Sequence, residues 1–149
     1  MLEANHPKQT LLFYFSEDFS EDDVDQLRTS VERLGQARRW PGDAPWFVDG
    51  TDYDVEDAGQ DQPLRTVGVA YQIYSAMPPW GSKLPPDVDR RQYEEVTMIL
   101  DEMKQLSARI GRQIGLELDG DDIGRINRGE EDRSIRIGLM DEWRKAVGA

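Results

Sequence analysis

The chain has no cysteine and a single histidine, His6. Disulfides, a thiolate nucleophile and cysteine-ligated zinc are therefore excluded, and one copy cannot build a multi-histidine metal centre. A histidine-based triad would have to recruit the N-terminal tail. No apolar run approaches the roughly 20 residues needed to cross a bilayer, and no basic start leads into an apolar signal core. A soluble, cytoplasmic chain without a membrane partner is the expectation. The Walker A loop, the dinucleotide glycine fingerprint and the nucleophile elbow are all missing, and no cofactor is expected. Carboxylates are plentiful, but a pair of them indicates a hydrolase only when a cleft opposes them. A carboxylate-dependent hydrolase stays as the catalytic alternative.

Basic residues are scarce in one half of the chain. Residues 1 to 63 hold 15 acids against 5 Lys or Arg, whereas residues 64 to 149 hold 15 against 13. Nearly all of the net charge of −12 thus lies in the first half. Such a field repels nucleic acid and anionic membrane, and it accelerates encounter with basic proteins. The arginines at 109, 112, 125, 128, 133 and 136 are interrupted by acids, as on a solvated, ion-paired surface, and do not make a nucleic-acid stripe.

At 149 residues the chain suits one domain with a real core, with a loose tail at 1–9. Thr10 to Ser16 is apolar or aromatic on nearly every position and predicts a strand inside a sheet. Ser20 with Asp23 predicts a capping box opening a helix, with Phe19 as its staple, and Val24, Leu27, Val31 and Leu34 form one face before Gly35. Asp49-Gly50 reads as a turn, with a short strand from Pro45 to Val48 before it. Leu64 to Ser75 predicts a long strand, with Gly68 at a bulge or close approach. A helix of about six turns follows the prolines at 85 and 86; Tyr93, Val96, Leu100, Met103, Leu106 and Ile110 form its buried stripe, and Glu95 and Glu102 lie among its surface residues. Asp89 with Gln92 is a capping pair there, and Gly111 its terminator. Residues 113–118 and 123–127 read as a hairpin around Asp119-Gly120, and 133–147 as a last helix with Ile135, Leu139, Trp143 and Val147 on one side. The fold class is α+β: a mixed or antiparallel sheet packed by about three helices on one side, with a two-sided α/β sandwich as the alternative.

The candidate partner-binding residues are Glu17, Asp18, Glu21, Asp22, Asp23 and Asp25, joined by Asp49, Asp52 and Asp54. Part of this acidity serves the positive end of the first helix, and the rest exceeds what capping needs. Trp80, in a proline-rich connection, is either an aromatic anchor for a partner or a lid over the core. Asp119 to Glu130 matches a twelve-residue calcium loop at Asp119, Asp121, Asn127 and Glu130, but Ile123 removes one oxygen ligand and a strand replaces the entering helix. A hairpin is the preferred reading of that stretch. Self-association is left open.

Glu117-Leu118-Asp119-Gly120, then Ile123-Gly124-Arg125-Ile126, Gly129 and the helix from Leu139 to Trp143 resemble a segment of small bacterial immunity-type proteins encoded with toxins. The resemblance spans about a fifth of the chain. It implies an inhibitor that blocks a cognate toxin by tight binding, without catalysis. An acidic front would complement a basic nuclease toxin. The function expected is therefore a noncatalytic inhibitor or adaptor for a basic protein partner.

Overall fold

The computed structural model describes residues 8–40, 44–52, 64–74 and 86–147. Chain order is β1 (Lys8–Phe15), α1 (Glu21–Ala37), β2 (Trp46–Asp52), β3 (Leu64–Tyr74), α2 (Pro86–Ile110), β4 (Ile114–Leu118), β5 (Asp121–Asn127), β6 (Glu130–Glu131), a π-helical segment (Ser134–Asp141) and α3 (Glu142–Val147). The strands form one sheet in the order β2-β3-β1-β4-β5-β6, and every neighbouring pair is antiparallel. Because β1 and β2 both run against β3, they are parallel to each other with β3 inserted between them. The same logic places β1 between β3 and β4. Each of α1 and α2 is thus the crossover of a split β-α-β unit, and the first four strands have the ferredoxin-like order.

Alternation along β1 divides the sheet into two faces. Leu11, Phe13 and Phe15 are buried, and they join Val67, Val69, Tyr71 and Ile73 of β3, Ile114 and Leu116 of β4, and Ile126 of β5 in one core. Val24, Leu27, Val31 and Leu34 of α1 and Val96, Ile99, Leu100, Met103 and Leu106 of α2 close that core from the same side. Each fully buried side chain of this size contributes roughly 1.5 to 3 kcal/mol. α3 packs on α2, where Trp143 meets Tyr93 edge-on at 5.9 Å and its Nε1 donates to Asp89 at 2.7 Å. Among the described residues all helices lie on this face, so the one-sided arrangement is found and not the two-sided sandwich.

The capping box opening α1 forms as its residues predict. Asp23 N donates to Ser20 Oγ at 3.1 Å and Ser20 N donates to Asp23 Oδ2 at 2.9 Å, while Phe19 stacks on Phe15 at 5.0 Å. Gly35 does not stop the helix, which runs on to Ala37 because nothing at that exposed position demands another conformation. In α2 the expected pair of Asp89 and Gln92 does not cap: Asp89 holds Trp143, and Gln92 Oε1 accepts from Tyr74 N at 3.3 Å. Gly111 ends α2 with φ +68°.

Three further expectations change. β2 continues straight through Asp49-Gly50, which pair with Val67 and Thr66, so that dipeptide is strand and not turn. Lys8 and Gln9 belong to β1, paired with Tyr74 and Ile73, whereas residues 1–7, His6 among them, lie outside the described residues. The last helix starts as a π-helix, so its core contacts fall at Ile135 and Met140, five apart, while Leu139 and Trp143 are only partly buried. A 3.6-residue period cannot anticipate that winding.

Candidate functional site

The acidic residues at the start of α1 do gather at one corner of the molecule, where α1 approaches β2. Glu21, Asp22 and Asp25 are exposed, as are Glu17 and Asp18 just before the helix. Arg65 of β3 joins this cluster to β2. Its guanidinium grips Asp49 with two hydrogen bonds of 3.0 and 2.9 Å, and it also donates to Glu21. These hydrogen bonds hold the Glu21 and Asp49 carboxyls below the usual carboxylate range and raise the affinity of Arg65 for its proton.

Asp23 differs from its neighbours because it is buried. Burial opposes its ionisation, but hydrogen bonds from the Ser20 N–H and hydroxyl and from Arg112 Nε at 2.9 Å outweigh that, and its pKa is lowered. It is a structural residue of the helix start, buried where the neighbouring acids are exposed. Glu17 accepts from Gln113 N at 2.7 Å, and Asp25 pairs with Arg28 at 3.2 Å. Of seven candidate carboxylates, at 17, 18, 21, 22, 23, 25 and 49, four pair with three guanidiniums: Asp25 with Arg28, Glu21 and Asp49 with Arg65, and Asp23 with Arg112. By these ion pairs the carboxylates exceed their guanidinium partners by four, and Arg109 stands beside the cluster through its hydrogen bond to Gln26, which also bonds Asp22. Asp52 lies in β2, while Asp54 and Trp80 lie outside the described residues.

The calcium-loop positions are not brought together. Asp119 and Gly120, both with positive φ, form a two-residue turn between Leu118 and Asp121, and Arg128 and Gly129 form a second one between Asn127 and Glu130. Asp119 and Asp121 consequently stand at one end of β5, and Asn127 and Glu130 at the other, roughly 20 Å away at the rise of a strand. Asp119 Oδ1 accepts instead from Thr10 N at 2.8 Å. Among the described residues no three carboxylates or histidines cluster as metal ligands, and no helix is long and apolar enough to cross a membrane.

Two features escaped the periodicity. Glu95, placed on the surface by its charge, is 1% exposed, and Glu102 is 8% exposed. Glu95 lies 3.4 Å from Arg91 Nε and 4.0 Å from Arg38 Nε, and burial together with this carboxylate raises the pKa of Tyr71. Glu102 accepts from Arg33 at 2.6 Å. Apart from Arg91, one turn away, these cations lie far off in sequence, so no local pattern announces the pairs. The second feature is the sheet face away from the helices. There Leu12 and Tyr14 are half-buried, beside Trp46, Val48 and the small residues Gly68, Ala70 and Gly115. The Tyr14 ring lies down over Gly115, where a Cβ would meet its Cζ at 2.5 Å, and Arg125 sits 5.9 Å from its centroid. The alternation of Leu12 and Tyr14 with Leu11 and Phe13 is the signal that marks this face. Comparison with protein families, curated proteins and solved structures returns no match.

Proposed function

We propose that this protein is a noncatalytic inhibitor or adaptor that engages a basic protein partner through the acidic corner where α1 meets β2. What supports this best is the charge left there after internal pairing: the seven carboxylates exceed their guanidinium partners by four, and Asp18 and Asp22 make no ion pair among the described residues. Unpaired surface carboxylates attract a cationic surface over about a Debye length and speed its approach. The resemblance of the last third to immunity-type proteins adds a more specific reading, in which the partner is a basic toxin held inactive by tight binding.

The test is to recover the partner with the tagged chain from its own cells and to follow the purified pair by stopped flow and calorimetry. Asp18→Lys with Asp22→Lys should slow association about tenfold at low salt, with the difference shrinking as salt rises. An association rate unchanged by the double reversal at low salt removes this corner from the interface. Asp23 is left intact, because its loss would disturb the helix itself.

A further inference from the structure

The same corner adjoins a second feature that fits a partner. β2 is the last strand of the sheet, paired with β3 without a break over seven residues, and among the described residues nothing pairs with its outer edge. Alternate N–H and C=O groups along that edge point away from β3, which is the template for an added strand. It carries no proline or bulge that would block one.

The two sides of this edge differ in chemistry. On the helix-free side stand Trp46, 39% exposed, and Val48, half-buried. On the other side runs a ridge of α1. Glu21, Asp25, Arg28 and Glu32 follow one another at helical spacing, and Arg28 stacks over the Phe47 ring of β2 at 4.9 Å while Glu21 shares Arg65 with Asp49. Those contacts aim the ridge at β2. Four carboxylates, at 21, 25, 32 and 49, face two guanidiniums there.

We infer that β2 receives an extended segment of the basic partner as an additional strand, with apolar side chains of that segment against Trp46 and Val48 and its Lys or Arg side chains against the α1 ridge. Strand periodicity supplies the fit: successive residues of an added strand point to opposite faces, so one segment alternating apolar and basic residues satisfies both sides. This inference rests on the basic-partner reading and adds the binding mode. The net charge of −12 argues against a second copy of this chain as the occupant, since two like-charged copies repel.

The experiment uses the full, isotope-labelled chain and three short peptides: alternating Lys and Val, the same composition interrupted by two prolines, and alternating Glu and Val. The Lys/Val peptide should shift the amides of Trp46 to Asp52 and slow their hydrogen exchange. The proline-interrupted and Glu/Val peptides should do neither. Trp46→Ala should weaken binding about tenfold at every salt concentration, and Asp25→Lys with Glu32→Lys about tenfold at low salt only. If the Lys/Val peptide perturbs Asp18 to Asp25 but leaves β2 unprotected, strand addition is overturned while the basic-partner reading stands. Equal binding of the Glu/Val peptide overturns the basic chemistry for both. Binding by none of the peptides, or β2 protection that grows with protein concentration in their absence, overturns the assignment of this edge to a partner's strand.

Discussion

Among the described residues the sheet ends at β6 on one side and at β2 on the other, and the two edges are finished by different means. β6 is two residues long, folded back by the Arg128-Gly129 turn, and pinned to α2 where Lys104 Nζ pairs with Glu131 at 2.8 Å. Its neighbour β5 sends Ile126 fully into the core, and Ile135 beyond it is equally buried. β2 presents seven residues in unbroken register, and among its described side chains the partly buried Phe47 packs against the core. A short, covered, charged edge is how a sheet avoids recruiting another strand. Among the described residues β6 is both short and covered, whereas β2 is long and uncovered, with Asp49 and Asp52 as its charges, and it adjoins the acids of α1.

The largest effect that would sharpen this contrast comes from paired truncations. Ile126→Ala removes a fully buried side chain and should lower stability by about 2 to 5 kcal/mol in chemical denaturation. Val48→Ala, at the other edge, should lower it by about 1 kcal/mol or less, because the side chain is only half removed from water. Equal losses at the two sites would mean that β2 is bound into the core as firmly as β5. Next in size is Ser20→Ala, which takes the hydroxyl from the Asp23 N–H and should remove about 0.5 to 2 kcal/mol. A loss near zero would show that the buried Asp23 and Arg112 pair holds the α1 start without its cap.

How much of this was legible depends on the range over which each interaction acts. The α1 cap was, because Ser20 and Asp23 are three apart and complete each other's hydrogen bonds. The strand character of β1 was, because its residues are apolar on nearly every position. The sequence alone ends β2 too early because Asp49-Gly50 is a turn signal in isolation; in the fold Asp49 is satisfied by Arg65, sixteen residues away, and pairs with Val67 as strand. Glu95 and Glu102 were misplaced for the same reason, since a buried carboxylate is intelligible only with its cations, and Arg38 and Arg33 come from α1 and its end. The acidic cluster was visible as composition. Its partial neutralisation was not, because Arg65 and Arg112 belong to the half of the chain that is nearly balanced.

The pH dependence of stability tests that neutralisation at the start of α1 and at the β6 edge. Asp23 and Glu131 each have a folded pKa below the ordinary value: burial works against ionisation in both, and hydrogen bonds, from Ser20 and Arg112 in one case and Lys104 in the other, prevail. A group with a depressed folded pKa contributes its full stability above the unfolded pKa and loses it as pH falls through the folded one. Denaturation midpoints should therefore be flat near neutrality and decline below about pH 5. Arg112→Met and Lys104→Met should each make that decline shallower, the first at the α1 corner and the second at β6. A decline unaltered by Lys104→Met would mean that the ion pair contributes nothing to closing the β6 edge.

The smallest expected effect is none at all, and it tests whether the β5–β6 edge is as firmly closed as the contrast requires. Asp119, Asp121, Asn127 and Glu130 have the spacing of calcium ligands along the chain, so a loop free to curl could bring them around one ion. The two tight turns forbid this while β5 is formed, since they fix the first pair and the second at opposite ends of a seven-residue strand. Binding would have to break the pairing of Ile114 with Ile126 and release a fully buried side chain, a loss that one missing-ligand site cannot offset. Calorimetric titration with calcium at micromolar concentration should accordingly give no stoichiometric heat, and the amide spectrum of residues 114–131 should not move. Uptake of one ion per chain, with loss of exchange protection at Ile126, would show that β5 opens readily and would remove the difference between the two edges.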